Sequence, residues 1–311
     1  MFSGDKSGSR IARLLATLLS VLLVVVLLRR SWGEIVETIR QIELSLLLLV
    51  LLIMLLSRLF VTARWHILLR SAEIETSWAQ SLKITFAGLF ASNFLPSTVG
   101  GDVARMAGAL QADFDPAKSA ASLVVDRVVG LAGMALALPI GLQKLLLYQS
   151  AGASALAAGQ VGWWATLKRR ASRILQRLLA AFKLWLARPQ ALLLSLLATL
   201  GHMGALFLTI SLLLQSMGED LAFLQIAGLW SLVYLVTLLP FTINGLGLQE
   251  VSTSFAFTLL GGVSEANALV LALLVRTLFM LASLPGALFL SDVLPGISKA
   301  RPILERIDEA S

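Results

Sequence analysis

The stretch Phe94-Leu-Pro-Ser-Thr-Val-Gly-Gly-Asp-Val-Ala-Arg105 decides how the rest of the chain is read. It follows an apolar run from Ile84 whose length suits a bilayer crossing, yet it holds a proline, two adjacent glycines, an aspartate and an arginine. In hydrocarbon a backbone amide has no water to bond, so irregular chain at that depth is tolerated only inside protein or beside a wet cavity. The interruption therefore marks a candidate site. A second copy supports this reading: Leu95-Pro-Ser-Thr-Val-Gly-Gly101 is echoed by Leu239-Pro-Phe-Thr-Ile-Asn-Gly245, and each is followed by an acid, Asp102 and Glu250. Further on, Arg127 and Arg276 each precede an apolar stretch that ends in a proline, Pro139 and Pro285. Paired Gly/Pro-interrupted hydrophobic segments in the two halves of a membrane chain point to a transporter's binding site.

Composition sets the class. Apolar residues make up 58% of the 311 and charged ones only 14%, with a mean hydropathy of +0.86, whereas a soluble domain carries roughly 25% charged residues. The chain reads as a polytopic membrane protein, and several spans of ~20 residues each leave little chain for a soluble domain. Cysteine is absent, which excludes disulfides and thiolate chemistry. The net charge of +7 is concentrated: no Asp or Glu lies between Asp126 and Glu219, whereas Lys144, Lys168, Arg169, Arg170, Arg173, Arg177, Lys183 and Arg188 do. In a chain this apolar, that excess points to anionic lipid head groups and not to nucleic acid. There is no nucleotide-binding loop to support ATP hydrolysis.

Taken in order, Lys6, Arg10 and Arg13 precede an uncharged run over 14–28, read as an uncleaved first span with a cytoplasmic N-terminus. Residues 31–43 mix acids and bases as a short external connection would. The second span, from Leu44, ends in Arg58-Leu-Phe-Val-Thr-Ala-Arg64-Trp65, read as a basic and aromatic border to which Arg58 snorkels. A polar turn is expected over 66–80, then the first loop and a helix restarting near Val103. Asp113-Phe-Asp115-Pro116 has the Asp-x-Asp form of a metal-diphosphate motif, but before a proline it reads as a turn and helix start. The next span, 119–138, carries Asp126-Arg127. Adjacent helical residues point about 100° apart, so these two cannot simply face each other. An unpaired charge at the bilayer centre costs ~2.5–3.5 kcal/mol, so a partner elsewhere is required.

Residues 145–167 are long enough for another span. Over 168–188, Leu175, Leu178, Leu179, Phe182, Trp185 and Leu186 share one face and Arg169, Arg173, Gln176, Arg177 and Lys183 the other. This is the pattern of an interfacial helix lying on an anionic leaflet. Residues 190–218 and 221–249 each exceed one crossing. The first holds His202, read as a packing residue because no second His or acid stands at metal-binding spacing. The second runs into the repeat, with a helix expected to restart over 248–260 and Glu250 in its first turn, where the helix dipole favours a carboxylate. The last span, 266–290, is interrupted by Arg276 and followed by a polar tail from Ser291.

Three segments, Asn93-Phe-Leu-Pro-Ser-Thr-Val-Gly-Gly-Asp-Val-Ala-Arg105, Asp126-Arg-Val-Val-Gly130 and Pro240-Phe-Thr-Ile-Asn-Gly-Leu-Gly-Leu-Gln-Glu250, resemble the transmembrane region of lysylphosphatidylglycerol synthase/flippases and their stand-alone flippase-like relatives. They do so in order and spacing over nearly the whole chain. The resemblance implies a bacterial or archaeal inner-membrane protein that moves or binds polar lipids, which in the family include aminoacylated phospholipids, hopanoids and polyprenyl-linked sugars. The soluble aminoacyl-transfer domain of bifunctional members is not in the sequence, so lipid lysinylation by this chain is not expected.

The expectation is an all-α, polytopic transmembrane helix bundle over 1–311, with two broken or re-entrant helical hairpins around loops 94–105 and 239–250, read as an inverted repeat. The candidate site comprises Asn93, Pro96, Thr98, Gly100, Gly101, Asp102, Arg105, Asp126, Arg127, Pro240, Asn244, Gly245, Gly247, Glu250 and Arg276, with no metal, cofactor or catalytic residue. Arg105, Arg127 and Arg276 would take a phosphate-bearing head group, because a guanidinium fork matches two oxygens at once. Asp102, Asp126 and Glu250 would orient them. The partner would be an anionic or a polyprenyl/hopanoid-type lipid. Two rival readings stand beside this one. In the first, an intramembrane transferase uses Asp113 and Asp115, or Glu250, as acid or base. In the second, the charges are a helix-bundle scaffold's own ion pairs, which the i,i+3 spacing of Asp102 and Arg105 suits.

Overall fold

The computed structural model describes residues 18–26, 28–29, 32–94, 100–150, 187–238, 242 and 245–296. Leucine-rich runs become helices because only an internally bonded backbone survives in hydrocarbon. Among the described residues they are α1 (Trp32–Gln41), α2 (Leu44–Ser71), α3 (Trp78–Phe94), α4 (Gly100–Gln111), α5 (Pro116–Ser150), α6 (Pro189–Ser216), α7 (Phe223–Thr237), α8 (Leu248–Phe255) and α9 (Glu265–Ser283). α8 runs on as a π-helical turn over Ala256–Leu260. α9 continues through 3-10 turns over Leu284–Phe289 and Leu294–Gly296, with a short α10 (Leu290–Val293) between them.

Four segments among the described residues are long and apolar enough to cross a bilayer: Leu44–Ser71, Pro116–Tyr148, Pro189–Ser216 and Glu265–Gly296. α7 is apolar but shorter. Leu52, Leu56, Leu193 and Leu197 are exposed on the outside of these helices, a surface suited to lipid tails and not to water. The protein is an all-α, multi-pass membrane bundle.

Local chemistry sets the helix starts. Gln80 N–H donates to Ser77 Oγ at 3.2 Å and Ser77 N–H to Gln80 Oε1 at 3.1 Å, a reciprocal cap that opens α3. Lys118 N–H donates to Asp115 Oδ1 at 2.8 Å, and Pro116 begins α5 where its missing N–H costs nothing.

Two buried clusters fill the interior. One gathers Met54 with Leu206, Ile210, Trp230, Phe257 and Leu271, and the other Trp65 with Leu69, Ala87, Met106 and Val125. α2 passes from the first to the second between Met54 and Trp65, the interval that holds Arg58 and Arg64. α3 and α4 lie side by side in opposite directions. A Cβ at Gly88 would come 2.6 Å from Arg105 Cγ, and one at Gly101 would collide with Ser92 Oγ, so this approach requires glycine at both positions. The C-terminal turns rest on the same unit: a Cβ at Gly286 would strike the Phe86 carbonyl, and one at Gly296 the Ala107 carbonyl.

Several expectations change. Residues 31–43 are not a plain connection: α1 forms there because Ile35 and Ile42 can be buried against Ala266, Leu269 and Val270. The polar turn expected over 66–80 shrinks to 72–77, since the buried Leu68 and Leu69 carry α2 on to Ser71. Helical turns continue to Gly296, past the span end expected at residue 290. The basic helix over 168–188 lies outside the described residues except for Ala187 and Arg188, as do 151–167. Arg188 donates to the Ser71 carbonyl and to Glu73 Oε1. The tips of both loops, 95–99, 239–241 and 243–244, are also outside them.

Candidate functional site

Five helices converge on one group of charges. α2 brings Arg64, α4 brings Asp102 and Arg105, α5 brings Asp126 and Arg127, and α6 and α7 add Thr199, His202 and Tyr234. Asp102 stands in the first turn of α4, where the helix dipole favours an acid. Asp126 is 1% exposed and accepts from Arg64 on both oxygens, Nε to Oδ1 at 2.6 Å and Nη2 to Oδ2 at 3.1 Å. Arg105 Nη1 adds a third bond to Oδ2 at 2.9 Å. Arg127 turns away from its neighbour and binds Asp102 Oδ2 through Nε at 2.9 Å and Nη2 at 2.8 Å. Arg105 links the two acids, with Nη1 3.6 Å from Asp102 Oδ1. Its guanidinium lies 4.4 Å from the centre of the Trp65 ring, and Trp65 Nε1 is held by Ser122 Oγ at 3.1 Å.

The three arginines and two aspartates line a cavity of about 210 Å³. Three arginines meet two carboxylates there, a surplus of one positive charge. Two N–H groups of Arg105, on Nε and Nη2, are buried and make no hydrogen bond, while the Arg127 side chain is 55% exposed. Such a constellation can receive an anion with several acceptor oxygens, the use to which paired guanidinium forks are best fitted. Among the described residues, no group of three or more His, Cys, Asp or Glu is placed to hold a metal ion.

Of the residues singled out in the sequence, Gly101, Asp102, Arg105, Asp126 and Arg127 line the cavity, and Gly100 is buried beside them at the start of α4. Asn93 reaches elsewhere, donating to the Phe279 carbonyl at 3.3 Å and to Ser283 Oγ at 3.0 Å, which ties the end of α3 to α9. Glu250 and Arg276 form their own pair at 2.7 Å, with Gln249 Oε1 3.5 Å from Arg276 Nη1, and neither lines this cavity. The second carboxylate oxygen of Glu250 is buried without a hydrogen bond. Gly245 and Gly247 have φ of 65° and 75°, a conformation natural only to glycine, and Gly247 opens α8. Pro96, Thr98, Pro240 and Asn244 lie outside the described residues.

The border expected at Arg58 to Trp65 is instead interior. Arg64 is 11% exposed and Trp65 fully buried, because Asp126 needs a cation and α2 is the helix that packs against it. That need was the signal that could have found Arg64. Thr199, which accepts from Arg64 Nη1 at 3.4 Å, and Tyr234 carry no comparable mark. A search of curated proteins finds no match. The model of the family described as the lysylphosphatidylglycerol synthase TM region matches residues 13–286, a span that contains every residue of the charged cavity, and the chain belongs to that family.

Proposed function

We propose that this chain is a flippase-like lipid translocase whose cavity between α2, α4 and α5 receives a phosphate-bearing head group while the tails stay in hydrocarbon. The observation that carries this reading is the surplus positive charge inside a cavity of about 210 Å³. The charged groups divide their work. Asp126, bonded by both Arg64 and Arg105, fixes the geometry. The unbonded N–H groups of Arg105 and the exposed fork of Arg127 are the donors to phosphate oxygens. Asp102 holds Arg127 between transport events and limits the local charge. In this reading α3 and α4 form a re-entrant hairpin around loop 94–105, and α7 and α8 form its counterpart in the second half. The cargo is an anionic or a polyprenyl/hopanoid-type lipid, and the membrane is a bacterial or archaeal inner membrane with the N-terminus in the cytoplasm.

One observation favours a scaffold reading instead: Asp126 already has three charge-assisted bonds and needs no ligand. The transferase reading gains no such support, since Asp113 sits in a turn at φ 57° and Asp115 caps α5. Replacing Arg127 with Gln and following exposure of a fluorescent phosphatidylglycerol on the outer leaflet tests the proposal. Removing one charged donor pair should slow appearance by about tenfold or more, and unchanged exposure in a folded variant overturns the reading.

A further inference from the structure

We infer that Arg58 is a second, deeper anion station on the head group's path, reached after Arg105 and Arg127. The inference rests on the reading of the cavity as a head-group site. Arg58 lies at the middle of the 28-residue α2, six positions and therefore about 9 Å along the axis from Arg64. It is 7% exposed. Its Nε makes no hydrogen bond, its Nη2 reaches only the thioether of Met54 at 3.8 Å, and its guanidinium lies 4.7 Å from the centre of the Phe279 ring. Among the described residues no carboxylate forms an ion pair with it, whereas Arg64, Arg105, Arg127 and Arg276 each have one.

A thioether is a weak acceptor, and attraction to a ring face gives the guanidinium's N–H groups no hydrogen-bond partner, whereas a cation within a bilayer calls for one. The packing around Arg58 therefore does not account for a charge at that depth, and a transient anion does. Arg58 lies outside the lining of the cavity but close to it along the chain: His202 lines the cavity, and its Nδ1 is 2.6 Å from the hydroxyl of Ser57, the residue preceding Arg58. A phosphate that moves inward past this contact must give up the donors of Arg105 and Arg127. At Arg58 it gains a fork with no acid to displace.

The test uses the full chain in phosphatidylcholine vesicles carrying a short-chain fluorescent phosphatidylglycerol. Arg58→Met, Arg58→Lys and Arg127→Gln are compared with the unaltered protein, and thermal unfolding is followed in parallel. Arg58→Met should unfold at the same temperature or higher, because an apolar side chain of similar length replaces a buried cation. It should nevertheless translocate about ten- to a hundredfold more slowly, the effect of losing one or two charge-assisted hydrogen bonds. Arg58→Lys should fall between, having the charge without the fork. Unaltered transport in Arg58→Met together with loss in Arg127→Gln overturns the deep station and leaves the cavity reading standing; unaltered transport in both overturns both. If Arg58→Met does not fold, Arg58→Lys and Arg58→Gln carry the test, and unaltered rates in both overturn it. Arg58-dependent binding of inorganic phosphate without movement of the lipid probe also overturns it, since the ligand is then a free ion.

Discussion

Among the described residues Glu250 forms an ion pair with a single arginine, Arg276, at 2.7 Å, whereas Asp102 and Asp126 share three arginines around open space. The sequence builds both regions alike: a Pro/Gly interruption, an acid in the first turn of the next helix and an arginine on a later one. The difference comes from a third element. α2 adds Arg64 to the first region, where it takes up both oxygens of Asp126; among the described residues no second cation forms an ion pair with Glu250. A repeated motif thus specifies where a helix restarts. Whether that restart becomes a receptor for anions depends on what packs against it.

The largest expected effect falls on the first region. Asp126→Ala leaves Arg64 and Arg105 buried beside no carboxylate but Asp102, and should lower stability by about 3–5 kcal/mol, read as thermal unfolding in detergent. A loss below about 1 kcal/mol would mean that the charges there are as weakly coupled as surface pairs. Next come paired replacements. Glu250→Met with Arg276→Met removes both members of a buried pair at similar volume and should change stability by no more than about 1–2 kcal/mol while lipid exposure persists. Asp102→Asn with Arg127→Gln should abolish exposure. If the Glu250/Arg276 double variant also loses exposure tenfold or so, the two regions are functionally equivalent and the contrast fails.

The smallest effect concerns the turn that anchors α9 in the second region. Burial alone raises the pKa of Glu219, but the Ser264 N–H at 3.0 Å and the Asn267 side-chain amide at 2.8 Å outweigh it and hold the carboxyl below its ordinary 4.5. A folded value below the unfolded one contributes stability that is complete above the unfolded pKa and lost as pH falls through the folded one. Because Glu219 is partly exposed, solvent screening keeps this below about 1 kcal/mol. The gap in unfolding temperature between the unaltered chain and Glu219→Gln should close on acidification from about pH 6 to about pH 3. A gap that stays constant would show that the carboxylate's charge does nothing there.

Much of this was legible in the amino acids because hydrocarbon leaves few options. Long leucine runs had to be helices, and Asp126 and Arg127 had to look away from each other, but the helix expected to restart near Val103 begins at Gly100, which puts Asp102 in its first turn. Arg58 and Arg64 were the failures. A cationic residue near the end of an apolar run satisfies the same pattern whether it snorkels to a border or turns inward to a carboxylate 62 positions away. Only the packing of α2 between the two buried clusters decides.

The glycines at 286 and 296 carry a consequence for the order of assembly. Insertion runs from the first residue to the last, so α3 and α4 reach the bilayer long before the turns that press against the Phe86 and Ala107 carbonyls have been made. The half of the bundle that holds Arg64, Arg105 and Arg127 is therefore finished by turns that follow α9. A nascent chain stopped before residue 284 would possess every charge of the cavity and still leave its flank bare to lipid.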